Sequence, residues 1–165
     1  MPSILRIVRI AIASITHTRL FRLTAPIVLP PLELLVTRLT GGRVQLSGLL
    51  VPSLVLYSTG AKSGMLRETK LMYTPDGHGR AIVAGSSFGR ERHPAWTYNL
   101  LAHPDAEISV RGRRLPVYAT LVSDAERDVV WRRIERQWPG YRSYERESGR
   151  TVRLFRLQPV SVPAG

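Results

Sequence analysis

Two short apolar runs separated by a glycine-bracketed turn constrain the fold of this 165-residue chain more than any other feature. The runs are Leu54–Tyr57 and Leu71–Tyr73, and between them lies Gly60-Ala61-Lys62-Ser63-Gly64, followed by Arg67 and Lys70. Apolar runs on either side of a glycine-rich turn are typical of a β-hairpin. The pattern therefore predicts two antiparallel strands with cations clustered at their tip.

The predicted turn has the chemistry of an anion site. Its glycines let the backbone approach a ligand closely, and Lys62 and Arg67 can hold phosphate or carboxylate oxygens. A P-loop is excluded because no Gly-x-x-x-x-Gly frame leads directly into the lysine, which follows Ala61. A solvated hairpin tip remains the alternative, since turns attract Gly, Ser and Lys for conformational reasons alone.

The rest of the chain continues the strand pattern and adds two helices. Strands are predicted near 53–59, 67–74, 80–85, 107–111, 115–122 and 151–158. One helix is predicted from Pro94 to the break at His103-Pro104, and a second from the capping box Ser123-Asp124-Ala125-Glu126, with Val129, Val130, Ile134 and Trp138 at helical spacing, to Pro139-Gly140. About six antiparallel strands with two inserted helices predict a mainly β fold with some α structure, a small closed or split barrel.

Residues 1–42 differ in character and are predicted to form a helical extension in front of a barrel domain at 43–165. Between Ser3 and Phe21, isoleucines and leucines would share one helical face, largely opposite Arg6 and Arg9. The apolar run at 10–15 is far shorter than the roughly 20 residues of a spanning helix. Segment 1–24 is therefore expected either to contact a membrane surface or to pack on its own domain.

Composition narrows the classes of function. The chain has no cysteine and its four histidines lack any metal-ligand spacing, so we expect neither disulfides nor a metal site. The net charge of +12 indicates an anionic partner or surface. The charge is the one feature that suggests a nucleic-acid partner. Because no nucleic-acid-binding motif accompanies it, we expect no such partner.

Two more groups have the composition of functional sites. Gly85-Ser86-Ser87-Phe88-Gly89 fits the Gly-x-Ser-x-Gly elbow of serine hydrolases, but no histidine follows His103 to complete that motif's triad in order. Trp138, Tyr141 and Tyr144 either form an aromatic wall over a planar cofactor or pack in the core.

Three blocks together resemble the deazaflavin-dependent nitroreductase family, the reductases of quinones and nitro compounds that use the 8-hydroxy-5-deazaflavin coenzyme F-420. The blocks are Leu56–Gly64 with Arg67, Ser86–Leu100, and Trp138–Tyr144, and their order and separation are similar to the family's across about residues 43–158. The resemblance implies a split β-barrel of the flavin-reductase type. It also implies coenzyme F-420 as the cofactor, with FMN less favoured, and a quinone, nitroaromatic or activated enone as the hydride acceptor.

The resemblance further implies a role for each matching residue. Lys62, Ser63 and Arg67 would bind the coenzyme's phosphate and acidic tail. Tyr141 and Tyr144 would border the substrate site, and with Ser86 they are the candidate catalytic donors. The deazaflavin and its ribityl phosphate would be lined by Ser86, Ser87, Arg90, His93, Trp96 and Asn99.

Three positions depart from the family pattern. The family usually has Arg where Ala61 stands, so one anion contact is missing. Lys70 stands where the family often has Pro, and it would restore a charge if its side chain faced the groove. Trp138 replaces a Tyr of some relatives at the substrate site.

Two classes of function follow from the resemblance. The first is a cytoplasmic F-420-dependent reductase, peripheral on the inner face of the cell membrane if segment 1–24 binds lipid. The second is a split-barrel protein that holds a flavin, haem or fatty acid without redox turnover. The sequence leaves the acceptor and the oligomeric state open.

Overall fold

The structure, a computed structural model, describes residues 52–160. Within that range the strands are β1 (Ser53–Thr59), β2 (Leu66–Met72), β3 (Thr74–Pro75), β4 (Ala81–Ala84), β5 (Asp105–Val110), β6 (Arg113–Leu121) and β7 (Leu154–Pro159). The helices are α1 (Ala95–Ala102), α2 (Asp124–Gln137) and α3 (Ser143–Ser148), with a 3-10 turn at Ser87–Gly89. The predicted extension at 1–42 and the predicted domain start at 43 lie outside the described residues. Residues 53–137 and those from Tyr141 onward belong to one compact unit, which contains all of these strands and helices.

The seven strands form one antiparallel, curled sheet with the order β2-β1-β5-β6-β7-β4-β3. Strand β1 alternates between half-buried and buried residues, so Leu54, Leu56 and Ser58 point inward. Trp96 and Leu100 of α1 are buried in the same apolar core, which also contains Phe155 of β7. The predicted fold class, mainly β with some α, is confirmed. Strand β2, which follows the cationic turn, lies at one edge of the sheet.

The predicted strands are all present, with shifts of a few residues at several ends. The turn glycines Gly77 and Gly112 both have a φ of +76°, the left-handed conformation that a hairpin turn of this kind demands. The structure adds the two-residue strand β3 and the helix α3, so the described chain has three helices where the sequence pattern predicted two.

The second predicted helix is present, but its buried face differs from the predicted one. Val130, Trp131 and Ile134 are buried, whereas Val129 is 55% exposed. Helical periodicity explains the difference, because positions 130, 131 and 134 lie on one face and position 129 on the neighbouring side. The residues of the predicted capping box do meet, since Ser123 Oγ donates to Glu126 Oε2 at 3.0 Å.

A buried carboxylate joins three elements of the unit. Asp76, in the turn between β3 and β4, is only 5% exposed. Its carboxylate accepts from Arg156 Nε of β7 at 2.6 Å and from Arg133 of α2. Because a buried charge is stable only when it is paired, these contacts fix the turn against β7 and α2.

Candidate active site

A cleft of about 930 Å³ lies between the β1–β2 turn and helix α1. The turn contributes Lys62, Ser63 and Arg67 to the lining, and the helix contributes an indole, a phenol and a carboxamide from Trp96, Tyr98 and Asn99. The cleft therefore has a cationic side and an aromatic side.

Asn99 fixes the turn to the helix. Its side-chain oxygen accepts from the Ala61 backbone N–H at 2.9 Å, and its amide group donates to Ser58 Oγ at 3.2 Å. Within the turn, the Gly60 N–H donates to the Met65 carbonyl and the Gly64 N–H to the Gly60 carbonyl, both at 2.8 Å. Both ends of the Asn99 carboxamide are thus engaged by the protein, so this residue borders the cleft and sets the shape of the turn.

The strand register separates the two cations of β2. Arg67 pairs with Ser58, whereas Lys70 pairs with Val55. Ser58 is buried on the inner face and Val55 lies on the other, because successive strand residues face opposite sides of a sheet. Lys70 therefore faces away from the side that carries Arg67, and it does not replace the charge missing at Ala61.

Ser86 and Tyr141, 55 residues apart in sequence, meet in a second cluster. Their hydroxyl oxygens are 2.9 Å apart, and either can donate. The Tyr141 ring also makes an edge-on contact with Tyr144, with centroids 5.2 Å apart. Burial raises the pKa of Tyr141, the hydrogen bond with Ser86 opposes that effect, and Tyr144 adds to it. The Tyr141 phenol thus keeps its proton at neutral pH.

Chain order and sheet topology decide against the hydrolase elbow, in which Ser87 would be the nucleophile. No histidine follows His103 to complete the triad in the order of that motif. The sheet is antiparallel, whereas the elbow is presented by the parallel sheet of an α/β-hydrolase.

The loop at 85–93, here called the serine loop, has an unusual backbone. Ser87 adopts a φ of +50°, which non-glycine residues rarely do, and Gly89 adopts +76°. A Cβ at Gly89 would lie 3.3 Å from Tyr144 Cδ1, so the loop packs directly on α3. Arg90 is exposed, Ser87 is half-buried, and neither residue lines the cleft.

His93, at the end of the serine loop, is held as a neutral imidazole. Burial lowers its pKa, and the charges of Arg153 and Arg150 lower it further. Arg150 Nη1 lies 3.0 Å from His93 Nδ1, and because a guanidinium only donates, the imidazole proton is on Nε2.

An aromatic contact connects the serine loop to the cleft. The His93 ring meets the Tyr98 ring edge-on at 6.2 Å, and Tyr98 lines the cleft. The Arg153 guanidinium stacks over the Tyr98 ring, 4.4 Å from its centroid. The structure thus gathers the predicted site residues into two adjoining groups: the cleft with Lys62, Ser63, Arg67, Trp96 and Asn99, and the serine loop with Ser86, His93, Tyr141 and Tyr144.

Sequence reasoning missed Arg150 and Tyr98. Arg150 touches four groups of the serine loop, but in an arginine-rich chain no local pattern distinguishes it. Tyr98 lay inside a recognised block, and its position one turn before the end of α1 could have placed it on the cleft.

The curled antiparallel sheet, with a cationic turn beside an aromatic helix, has the architecture of a split barrel. The structure is similar to that of an F420-H2 dependent reductase (FDR-A), with 28% identity and a TM-score of 0.58, over 65% of this chain and 94% of that one. It is also similar to a structure described as a domain-swapped dimer, with 26% identity and a TM-score of 0.60, over 79% of this chain and 96% of that one.

Sequence comparison leads to the same group of proteins. An F420H(2)-dependent quinone reductase of Mycobacterium tuberculosis is 38% identical over 104 residues, which span 61% of this chain and 69% of the relative. The model of the family described as "F420H(2)-dependent quinone reductase" matches residues 34–159. The chain belongs to this family.

Family membership decides several of the expectations. The split-barrel fold, coenzyme F-420 as cofactor, and the enzyme class are confirmed, and the activity is hydride transfer from the reduced coenzyme to a quinone. The alternative of a split barrel without redox turnover is not supported. No helix within the described range is long and apolar enough to cross a membrane. The role of each site residue stays a prediction.

Proposed function

We propose that the cleft holds coenzyme F-420 with its acidic tail on the Lys62 turn and its ring against α1, next to a quinone acceptor at Ser86 and Tyr141. The observation that carries this proposal is the cleft itself, which joins a cationic turn to an aromatic helix face. Its volume of about 930 Å³ falls in the range of small-molecule and cofactor sites. A planar ring with a phosphate and carboxylates fits those two sides.

The bound coenzyme supplies the hydride, and the protein's part is binding, orientation and proton supply. Lys62 and Arg67 are exposed and attract the anionic tail, while Trp96, only 5% exposed, gives the cleft a rigid wall. Ser86 and Tyr141 have two hydroxyl protons between them and use one in their mutual hydrogen bond. The other is free to meet the quinone oxygen on which negative charge develops, and such a positioned donor stabilises that charge.

The tail-binding role can be tested by titrating the protein with oxidised F-420 and following coenzyme fluorescence. Because hydrogen bonds to charged groups are worth about 1.5–3 kcal/mol, Lys62→Ala with Arg67→Ala should raise the Kd by about tenfold or more. Lys70→Ala is the matched control, since it removes a β2 cation from the opposite face. Equal affinity of the double variant and the native protein would contradict the proposal.

We propose a broader acceptor range than quinones, including nitroaromatics and activated enones. Each of these develops negative charge on an oxygen that Ser86 or Tyr141 can contact. Oxidation of the reduced coenzyme with menadione, a nitroaromatic and an activated enone would measure the range. If only menadione, and neither of the other two compounds, were reduced, the acceptor range would be limited to quinones.

We also propose that segment 1–24, outside the described residues, brings the enzyme to the inner face of the cell membrane. The proposal is supported by the amphipathic, arginine-bearing pattern of the segment and by the apolar nature of quinones. Deletion of residues 1–24 should weaken co-sedimentation with anionic vesicles. Unaltered partitioning would count against membrane contact.

A further inference from the structure

Arg150 donates to the serine loop at four points. Its Nη2 donates to the carbonyl oxygens of Gly85 and Ser86, and its Nε to that of Arg90, all at 2.9 Å. Its Nη1 donates to His93 Nδ1 at 3.0 Å. One half-buried guanidinium thus holds both ends of the loop.

The Gly85 N–H donates to the Arg153 carbonyl at 2.8 Å, but beyond Gly85 the loop needs external support because its remaining backbone hydrogen bonds are local. The Gly89 N–H donates to the Ser86 carbonyl at 3.0 Å, and the Arg90 N–H to the Ser87 carbonyl at 3.2 Å. Ser87 is also held in a conformation that costs of order 1–3 kcal/mol and persists only when the surroundings impose it. Released from Arg150, the segment around Ser87 has few bonds to keep this shape.

Helix α3 delivers Arg150 to its position. The helix ends at Gly149, whose φ of +65° reverses the chain. Beyond the turn, the Val152 N–H donates to Glu145 Oε1 at 2.9 Å, which ties the segment in front of β7 to the helix. Tyr144, near the start of α3, contacts Tyr141, so one element carries both the aromatic side of the cluster and the support of the serine loop.

We propose that Arg150 is a positioning residue: it fixes the backbone of Ser86 so that the Ser86 hydroxyl stays opposite Tyr141. The carbonyl that accepts from Arg150 belongs to Ser86 itself, two bonds from the Cα that bears the hydroxyl side chain. Arg150 is absent from the lining of the cleft, so it acts through the loop and not on the coenzyme tail. The inference rests on the proposed role of Ser86 and Tyr141.

The first test needs no coenzyme. Arg90 and Arg92 are exposed trypsin sites within the serine loop. In Arg150→Ala, cleavage after these two residues, identified by fragment mass, should be at least about tenfold faster than in the native protein, because local opening exposes the chain to protease. Arg146→Ala, which removes an exposed arginine of α3 close to Arg150 in sequence, is the control, and its serine loop should be cleaved at the native rate. Unchanged loop cleavage in Arg150→Ala overturns the proposal whatever the enzyme's activity.

The second test is turnover with menadione. Arg150→Ala should lower kcat by about 10- to 100-fold, the usual effect of a small misplacement of a reacting group, with the Kd for oxidised F-420 changed less than about threefold. Added guanidinium should restore part of the turnover and of the protease resistance, and Arg150→Lys should stay low because an ammonium cannot span four acceptors. Full activity of Arg150→Lys, or loss that guanidinium does not reverse, overturns the positioning role. If the native protein showed no turnover, the proposed function of the site would be refuted. The protease experiment would still test whether Arg150 fixes the serine loop.

Discussion

At the scale of single residues, the hydroxyl pair of Ser86 and Tyr141 gives the sharpest prediction. Either hydroxyl can still donate when the other is removed, so Tyr141→Phe or Ser86→Ala alone should lower kcat by about tenfold, and both together by about 100-fold or more. Steady-state oxidation of the reduced coenzyme with menadione measures this. Tyr118→Phe, on the exposed part of β6, is the control. Native turnover in the double variant would exclude these hydroxyls from the reaction.

His93 predicts how stability depends on pH. The folded protein lowers the His93 pKa below its ordinary value of 6.5, so on acidification the unfolded chain takes up a proton that the folded one refuses. The contribution of His93 to the free energy of unfolding is therefore fully present above pH 6.5 and decreases as the pH falls below that value.

Urea unfolding at pH 7.5 and 5.5 would test this dependence. The native protein should lose stability between the two values, and His93→Gln should lose less. The pKa of Glu126 is lowered from 4.5, so this exposed carboxylate titrates below pH 5.5 and does not contribute to the difference between the two pH values. Equal pH dependence of the native protein and the variant would exclude His93 as the cause.

The site shows what a sequence can predict at this scale and what it cannot. The three recognisable blocks, through the family resemblance, implied one coenzyme site for Lys62, Arg67 and Trp96, and the structure brings these residues to one cleft. They could not show that the Asn99 carboxamide is hydrogen-bonded to Ala61 and Ser58. Nor could they show that Lys70 lies on the sheet face opposite to Arg67, since both features depend on pairings between distant segments.

At the scale of elements, the Asp76 carboxylate connects the β3–β4 turn to β7 and α2, so its removal should destabilise the fold. Asp76→Ala should lower the free energy of unfolding by about 1–3 kcal/mol, because Arg156 and Arg133 lose the charge that pairs them. Chemical denaturation measures the change. Glu107→Gln is the matched control, since its ion pair with Arg114 is half-exposed and worth less than about 1 kcal/mol. Equal losses in the two variants would show that burial of Asp76 adds nothing.

The elements themselves were predictable wherever the sequence carries a clear local signal. Strand β1 contains the apolar run Leu54–Tyr57 in front of a glycine-bracketed turn, and its predicted bounds at 53–59 match the structure. Helix α3 escaped prediction because Pro139-Gly140 ends the preceding helix and the six residues of α3 show no apolar stripe. The two-residue β3 forms only because β4 pairs with it, which no local pattern records.

At the scale of the whole molecule, the net charge of +12 should govern coenzyme capture. The exposed cations at the cleft are screened by salt, so raising NaCl from 20 to 200 mM should increase the Kd for F-420 by about three- to tenfold. The KM for the neutral acceptor menadione should stay constant. Fluorescence titration and steady-state kinetics over the salt series would show it, and a Kd independent of salt would argue against an electrostatic tail site.

The close approach of the serine loop to α3 sets a rule for directed evolution of this reductase. Gly89 has little room for a Cβ beside Tyr144 and uses a left-handed backbone, so a saturation library at this position would consist mostly of damaged clones. The exposed neighbours Arg90, Glu91 and Arg92 carry no such restriction. A library in the serine loop should therefore randomise positions 90–92 and keep the glycine, which concentrates the screening effort on variants that fold.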